Sequence, residues 1–567
     1  MPDLFIPLLF ILLTACAGNP EQENQVIIKN EHQIKSKLRH NLPNELNRTS
    51  NVNNTIFQEV TKTYFHQPLF GQKLYLSDLN QDGDIDIVTL EEKYSVPKVF
   101  LFDRKSKAYY PSLNNFFPIG LHASFLNFDY FNEDKKEDVL VGQFYLGVDF
   151  SVPQSQLYLR KDKNFEFFDQ LFESPKPHVG GALIDFDLDG KLDFFQVFWI
   201  QKQGVKQGFF PPEFKLTNGK SIQVNYQNKF IENNGVPSWS AEICDINNDN
   251  KLDLLIANTS GHQDFVFTNQ SIGDSLVFKG NDQIYAPLMA DHNGYNQLLG
   301  NSNNFGFLCE DFNNDGLLDV ISFGEKRELQ DLTRDPIRIH LQQKLRSIKY
   351  PFLSSEFPIQ LKNYSIKNIV PIDFDNDGDV DLLFENSGFP PRSRLMLFEN
   401  INGTFKNVSE ISGVDIINPS GTISYDINHD GLPDILIGQS TIRMENLEGN
   451  VGVFENKLKT PNNSVKLYFW GLQSNRSAVG AIVTLTSKNH RQKKIVNYMR
   501  GGLPSQGDKY IHFGLGNETE FNLDVIWPNK KRTRKSYRGK IKPGEKQIEL
   551  TLCENGIALI GRKICLP

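Results

Sequence analysis

No apolar run in the 567 residues is built to cross a bilayer as a stable helix in the mature chain. The stretch Leu4 to Leu13 is too short for that, although its length suits the h-region of a secretory signal. Histidine is sparse: the 11 copies are scattered, and none forms the His-Glu-x-x-His signature of a zinc protease. Gly-x-Ser-x-Gly elbows and phosphate-cradling glycine loops are absent too, so no familiar catalytic constellation is present and no enzyme is expected. His512 is read as a structural histidine. Cysteine is rare, with 5 residues. Cys244 and Cys309 each precede an acidic loop and are read as small buried apolar residues, not a pair. Cys553 and Cys565 flank a short C-terminal stretch, where a disulfide is plausible in an exported chain.

What is there is the composition of a folded protein, 39% hydrophobic, 12% aromatic and 23% charged, which excludes a disordered or collagenous chain. Abundant Phe with frequent Gly and Asn favours strands and turns. Six nine-residue stretches then repeat one pattern, with hard oxygen donors at alternate positions wrapped to hold one Ca²⁺. The candidate ligands are Asp78, Asn80, Asp82, Asp84 and Asp86, then Asp185, Asp187, Asp189, Lys191 and Asp193, then Asp245, Asn247, Asp249, Lys251 and Asp253. The later three loops offer Asp311, Asn313, Asp315, Leu317 and Asp319, then Asp373, Asp375, Asp377, Asp379 and Asp381, and finally Asp426, Asn428, Asp430, Leu432 and Asp434. Position seven varies from Asp to Lys to Leu, which fits a backbone carbonyl ligand. Position six is Gly, or Asn250, and both tolerate the left-handed turn the loop needs. Between the first two loops lies a damaged copy near Asp129, with Tyr130 at position one and Lys135 at position six, which is not counted among the metal sites.

An EF-hand also begins Asp-x-Asp-x-Asp-Gly, but it needs Glu at position twelve and flanking helices. Here position twelve is Thr89 or Gln196, for example, and short apolar runs such as Leu382-Leu383-Phe384 follow. Those runs read as buried strands, so each loop joins the strands of a hairpin. Third and fourth strands follow, as in Gln156 to Leu159, Leu395 to Asn400 and Thr404 to Val408. Four antiparallel strands repeated radially make a β-propeller, and seven loops imply seven blades. Ile56 to Val60 reads as a fourth strand without a hairpin, and the last repeat, ending in Val451 to Asn456, lacks one. The N-terminal strand is expected to complete the last blade, which would leave no open edge.

These repeats resemble the FG-GAP/VCBS family, known from integrin α-chain heads and bacterial surface proteins, over residues 54–458. The resemblance implies a seven-bladed propeller with structural Ca²⁺ in about six hairpin loops on one rim. In residues 463–550 the segments Ser474 to Ala481, Gly501 to Gln506, His512 to Gly516 and Val525 to Pro528 resemble the UnbV/ASPIC domain, in its order. Alternation in Ala481 to Leu485 and Phe521 to Trp527 reads independently as a small β-sandwich. The fold class expected is therefore all-β, a propeller followed by a sandwich-like domain, with residues 551–567 as a tail.

Residues 463–550 carry 17 Lys and Arg against 6 Asp and Glu, net +11, and since the whole chain is −8 the remainder stands at −19. Bound Ca²⁺ would relieve most of that repulsion. The cluster Lys530 to Lys535 is a solvated hairpin or, more sharply, a contact for anionic glycan, lipopolysaccharide or the acidic propeller. At the N-terminus Leu13-Thr14-Ala15-Cys16 resembles a lipobox, which implies cleavage after residue 15 and lipidation of Cys16. The alternative is an ordinary signal with an incidental cysteine. Residues 17–53 are polar and read as a tether. Ala17 lacks the aspartate of the inner-membrane pattern this resembles, so an outer-membrane lipoprotein of a bacterial envelope is expected. Membrane contact is then through the lipid anchor alone. The function expected is a binding or adhesion module for an envelope or extracellular protein or glycan. The alternatives are a propeller hydrolase or lyase of polysaccharide and a scaffold for envelope assembly, with no nucleic-acid partner.

Overall fold

The computed structural model describes residues 55–566 apart from 92–93, 145–153, 172–175, 200, 204–205, 209, 221, 226–234, 260–261, 281–302, 327–336, 345–350, 362, 389–392, 443 and 445–446. The signal segment, Cys16 and the tether lie outside the described residues. The architecture is all-β, with strands dominating and, among the described residues, two four-residue helices, Thr61–Tyr64 and Ser409–Ser412.

Each repeat forms an antiparallel sheet whose strands follow in chain order. Lys73–Ser77, Asp86–Leu90, Lys98–Asp103 and Ala108–Pro111 make the first, and Phe125–Asp129, Asp138–Gly142, Gln156–Lys161 and Asn164–Gln170 the second. The third has His178–Ile184, Asp193–Phe198 and Glu213–Lys215. The fourth has Ser238–Cys244, Asp253–Asn258, Phe265–Asn269 and Val277–Gly280, with Gln223–Asn225 added in parallel at its edge. Asn304–Glu310, Asp319–Lys326, Arg338–Gln342 and Phe352–Glu356 make the fifth, bonded through Glu325 and Lys326 to the sixth. The sixth is Tyr364–Ile372, Asp381–Asn386, Met396–Ile401 and Thr404–Asn407. Pro419–Tyr425, Asp434–Gln439 and Gly452–Asn456 are completed by Phe57–Glu59, where Phe57 faces Asn456 and Glu59 faces Phe454. The N-terminal strand therefore closes the last sheet as its pattern predicts.

The second strand of each sheet is buried and predominantly apolar because both of its faces are covered. Leu382, Leu383 and Phe384 are all 0% exposed. The first strands pack in cyclic order, Lys73–Ser77 lying against Phe125–Asp129 on one side and against Pro419–Tyr425 on the other. That neighbour relation explains one correction. Cys244 and Cys309, read from sequence as unpaired, form a disulfide with Cα atoms 5.8 Å apart. Cys244 ends Ser238–Cys244 and Cys309 is the penultimate residue of Asn304–Glu310, and the packing of these adjacent first strands brings the two together. Cys553 and Cys565 are bonded as expected.

The C-terminal domain is a two-sheet sandwich. One sheet orders Ile511–Gly516, Asn463–Trp470, Gln547–Cys553 and Ala558–Ile560, and the other Arg491–Ile495, Ile482–Thr486, Glu520–Ile526 and Arg534–Lys540. Gln547–Cys553 runs past residue 550 and Ala558–Ile560 pairs with it, so the C-terminal stretch is part of the sandwich. Between the sheets Val465, Leu467, Phe513, Leu523 and Trp527 are fully buried. The Trp527 indole N–H donates to Tyr537 Oη at 3.2 Å, and that hydroxyl donates to the Cys553 carbonyl at 2.7 Å.

Candidate functional site

The six acidic loops share one backbone. Positions four and six take positive φ in every case, from Gln81 (60°) and Gly83 (90°) to His429 (58°) and Gly431 (91°). The position-one carboxylate accepts backbone N–H bonds across the loop, as Asp311 does from Asp315 at 3.1 Å and from Gly316 at 3.0 Å. Position two is apolar and buried, Leu79 and Phe312 both at 0% exposure, and pins the loop to the core.

Position nine has a second role that the ligand pattern alone does not reveal. One oxygen of Asp381 accepts the N–H of Phe374 at 3.1 Å, and the other accepts that of Asn400, on the third strand, at 2.7 Å. The same clasp is made by Asp86, Asp193, Asp253, Asp319 and Asp434. Asp138 makes it as well, in the damaged repeat.

Two loops gather their carboxylates tightly. Ligand oxygens of Asp185, Asp187 and Asp193 lie within 4.8 Å of one another, as do those of Asp373, Asp375 and Asp377. Burial, reinforced by neighbouring loop carboxylates, pushes Asp185 and Asp319 up to about 8, and Asp86, Asp193, Asp311 and Asp377 up to about 7. Such loops resist full ionisation without a compensating cation. Asp187 Oδ1 and Asp373 Oδ1 are buried with no hydrogen-bond partner, which leaves a lone pair on each for a metal. The donors are hard oxygens throughout, and these residues fit a Ca²⁺ ion. At position seven the Lys251 ammonium turns away to the Ser271 carbonyl at 2.9 Å.

The basic domain meets these loops directly. Lys466, 1% exposed, sits 3.3 Å from Asp426 and 3.1 Å from Glu549. Lys493 lies 3.6 Å from Asp245 and donates to Asn248 Oδ1 at 2.9 Å. Gly514 N–H donates to Asp373 Oδ2 at 3.0 Å, and His512 Nε2 contacts Asn376 Oδ1 at 2.6 Å. In the basic cluster Lys530 pairs with Asp274 at 3.5 Å, an exposed contact, while Arg532 lies within electrostatic reach of Asp185, Asp249 and Asp245. The opposite net charges of the two regions are thus matched partly by intramolecular contacts.

A segment of the domain, residues 500–509, reaches the first strand of every sheet. Gln506 bonds both neighbours at once: its N–H donates to Leu74 O at 3.0 Å, and its side-chain amide donates to Phe128 O at 2.8 Å and accepts from Phe128 N at 2.7 Å. Leu503 N–H donates to Val179 O at 2.6 Å, and Gly502 bridges Gly180. A Cβ on Gly502 would stand 2.3 Å from the Trp239 indole nitrogen, so only glycine fits. Arg500 pairs with Glu310 at 2.9 Å, and Gly501 and Ser505 approach Asn368 and Gly421 closely. Next to this segment a cavity of about 150 Å³ is lined by Glu310, Lys494, Arg500, Asp508 and His512 among others. Sequence reading found Gly501 to Gln506 as a motif but not its place, because its partners are up to about 430 residues away along the chain.

A Ser–His contact also occurs, Ser155 Oγ to His178 Nδ1 at 2.8 Å, but both residues are sealed at 1% exposure or less and the serine also accepts Gln143 N–H at 2.9 Å. No substrate can reach that hydroxyl without opening the fold.

Comparison with known proteins agrees with the repeat spacing. The FG-GAP-like repeat model matches residues 311–384 and 373–437, and the ASPIC and UnbV model matches residues 471–539. Cartilage acidic protein 1 of Mus musculus is 24% identical over 247 residues, 41% of this chain and 34% of the relative. The Homo sapiens protein of that name is 24% identical over 242 residues, 40% and 33% of the two chains. The chain thus spans about a third of the length of these curated relatives. Among solved structures, BBS1N in complex with ARL6DN is similar at 8% identity and TM-score 0.39, covering 72% of this chain and 99% of that one. The V. cholerae biofilm matrix protein Bap1 is similar at 11% identity and TM-score 0.35, covering 71% and 91%. The chain carries FG-GAP-like repeats followed by a C-terminal ASPIC/UnbV domain.

Proposed function

We propose that this chain is a calcium-stabilised lipoprotein of a bacterial envelope whose seven-bladed propeller serves as a binding or adhesion module for an extracellular protein or glycan. The observation that carries this reading is the insertion of residues 500–509 among the first strands. A propeller enzyme assembles its site where those strands converge, and here the chain's own backbone occupies that place. Binding is left to outer surfaces, and one is suited to it. Leu113 (99% exposed), Ile119 (92%), Phe167 (54%) and Phe168 (59%) stand on two segments joined by the Phe165 N–H to Phe116 O bond. Exposed apolar groups on two adjoining segments suit an interaction surface.

FG-GAP repeats with an ASPIC/UnbV domain fit an adhesion-type module outside the cytoplasm. There even loops with affinities near ~10⁻⁴ to 10⁻³ M would hold Ca²⁺ as permanent structure. Among the described residues no helix is long and apolar enough to cross a membrane. Cys16 would supply the anchor, which globomycin-sensitive processing and palmitate labelling would test. Glycan-array and envelope pull-down screening with and without Ca²⁺ tests the binding role. Ca²⁺-dependent capture, weakened in a Phe167→Ser/Phe168→Ser variant, is the expected result. Turnover of a polysaccharide without stable capture would favour the hydrolase or lyase instead.

A further inference from the structure

The second repeat departs from the calcium pattern at several positions, and the departures are matched by groups from the C-terminal domain. Tyr130 stands where the other loops have their first Asp, and its ring lies edge-on to Trp470 at 5.8 Å between centroids. A neutral phenol adds no charge for a metal. Lys135 takes the glycine position at φ 65° and brings a positive charge of its own. The loop keeps part of its shape: Asp134 N–H donates to Asn132 Oδ1 at 2.8 Å, Lys136 N–H donates to Asp134 Oδ1 at 2.9 Å, and Asp138 makes the clasp, but Glu133 at position four lacks the positive φ that the other six loops share. The turn therefore forms with a weakened ligand set.

Its acidity has moved to the back of the hairpin. Glu137 occupies position eight, which is Ile85, Leu192, Leu252, Leu318, Val380 or Pro433 in the other loops. It is 9% exposed, and Asp129, at the end of the preceding strand, is 1% exposed. Buried carboxylates need a partner. Lys509 Nζ lies 2.9 Å from Glu137 Oε1 and donates to the Phe128 carbonyl at 3.2 Å. Arg562 reaches Glu137 at 3.6 Å and Asp508 at 3.0 Å. The Ser77 hydroxyl, from the first sheet, donates to the remaining Glu137 oxygen at 2.6 Å.

We propose that the second repeat is metal-free, and that the Lys509 ammonium, seconded by Arg562, supplies from the C-terminal domain the positive charge that Ca²⁺ supplies to the other six. The inference rests on the calcium reading of those six loops. Its consequence is a latch between the domains that persists when calcium is withdrawn.

The test uses the intact chain and two measurements, bound Ca²⁺ per chain by metal analysis and melting temperature with Ca²⁺ or EGTA. Wild type should bind no more than six ions. Lys509→Met should lower the melting temperature by roughly 3 to 6 °C, equally with Ca²⁺ and with EGTA, while the ion count stays unchanged. Adding Glu137→Leu, which restores an apolar position eight, should recover more than half of that loss. A seventh ion removed by Asp134→Ala would overturn the proposal. So would a Lys509→Met chain as stable as wild type, or a loss confined to Ca²⁺ conditions. If the six-loop reading alone were wrong, Asp375→Ala would show no calcium-dependent loss while the Lys509→Met effect persisted, so the two failures are distinguishable.

Discussion

Removing the position-nine carboxylate in the one repeat that has lost its calcium pattern separates the clasp from the metal. In Asp138→Ala the N–H groups of Phe131 and Arg160, which donate to Asp138 at 3.1 and 2.7 Å, lose their acceptor. Asp138 is 0% exposed, so water does not replace it. An unmade buried hydrogen bond costs about 1 to 3 kcal/mol, which puts the two together at about 2 to 6 kcal/mol. The expected outcome is a loss of that size in urea titrations of the intact chain followed by circular dichroism, equal with Ca²⁺ and with EGTA. Asp381→Ala removes the same clasp together with a candidate ligand, so its loss should be larger with Ca²⁺. If Asp138→Ala stayed within about 0.5 kcal/mol of wild type, or if its cost vanished on chelation, the clasp would not be an independent fastener.

Lys466→Met leaves Asp426 and Glu549 without their shared partner and should cost about 3 to 5 kcal/mol, read from the same titration. Gly502→Val drives a side chain into the Trp239 indole and should cost at least about 1 to 3 kcal/mol, with altered tryptophan emission; unchanged stability and emission would mean the segment does not sit against Trp239. Burial lowers His178 from its ordinary value to about 3, so the unfolded chain takes up a proton near pH 6.5 that the folded chain refuses until far lower pH. Stability should therefore fall as pH drops from about 6.5 towards 3, by about 1.4 kcal/mol per unit from this group, and His178→Gln should flatten the slope.

The parts of the fold legible in the sequence are those written at short range. Alternating oxygens with Gly at position six, followed at once by Leu382-Leu383-Phe384, specify a loop running into a buried strand. The orphan strand at Phe57 and the unfinished sheet ending at Asn456 could be matched because each lacks what the other has. Relations between repeats were harder to read. Cys244 and Cys309 stand 65 residues apart, and only the packing of neighbouring first strands makes them a pair. The signal that could have revealed it was that both cysteines lie within two residues of the start of their loops, in consecutive repeats. Glu137 and Lys509 were individually unremarkable charges, and their meaning required the C-terminal domain to be in place.

Calorimetry of the intact chain with bound calcium counted in the same sample tests the central claim most directly. If the six loops fasten the repeats as calcium sites, the chain holds about six ions, and EGTA lowers the melting temperature while stripping them. A chain that carries no calcium, or that melts at the same temperature with and without it, would contradict the account.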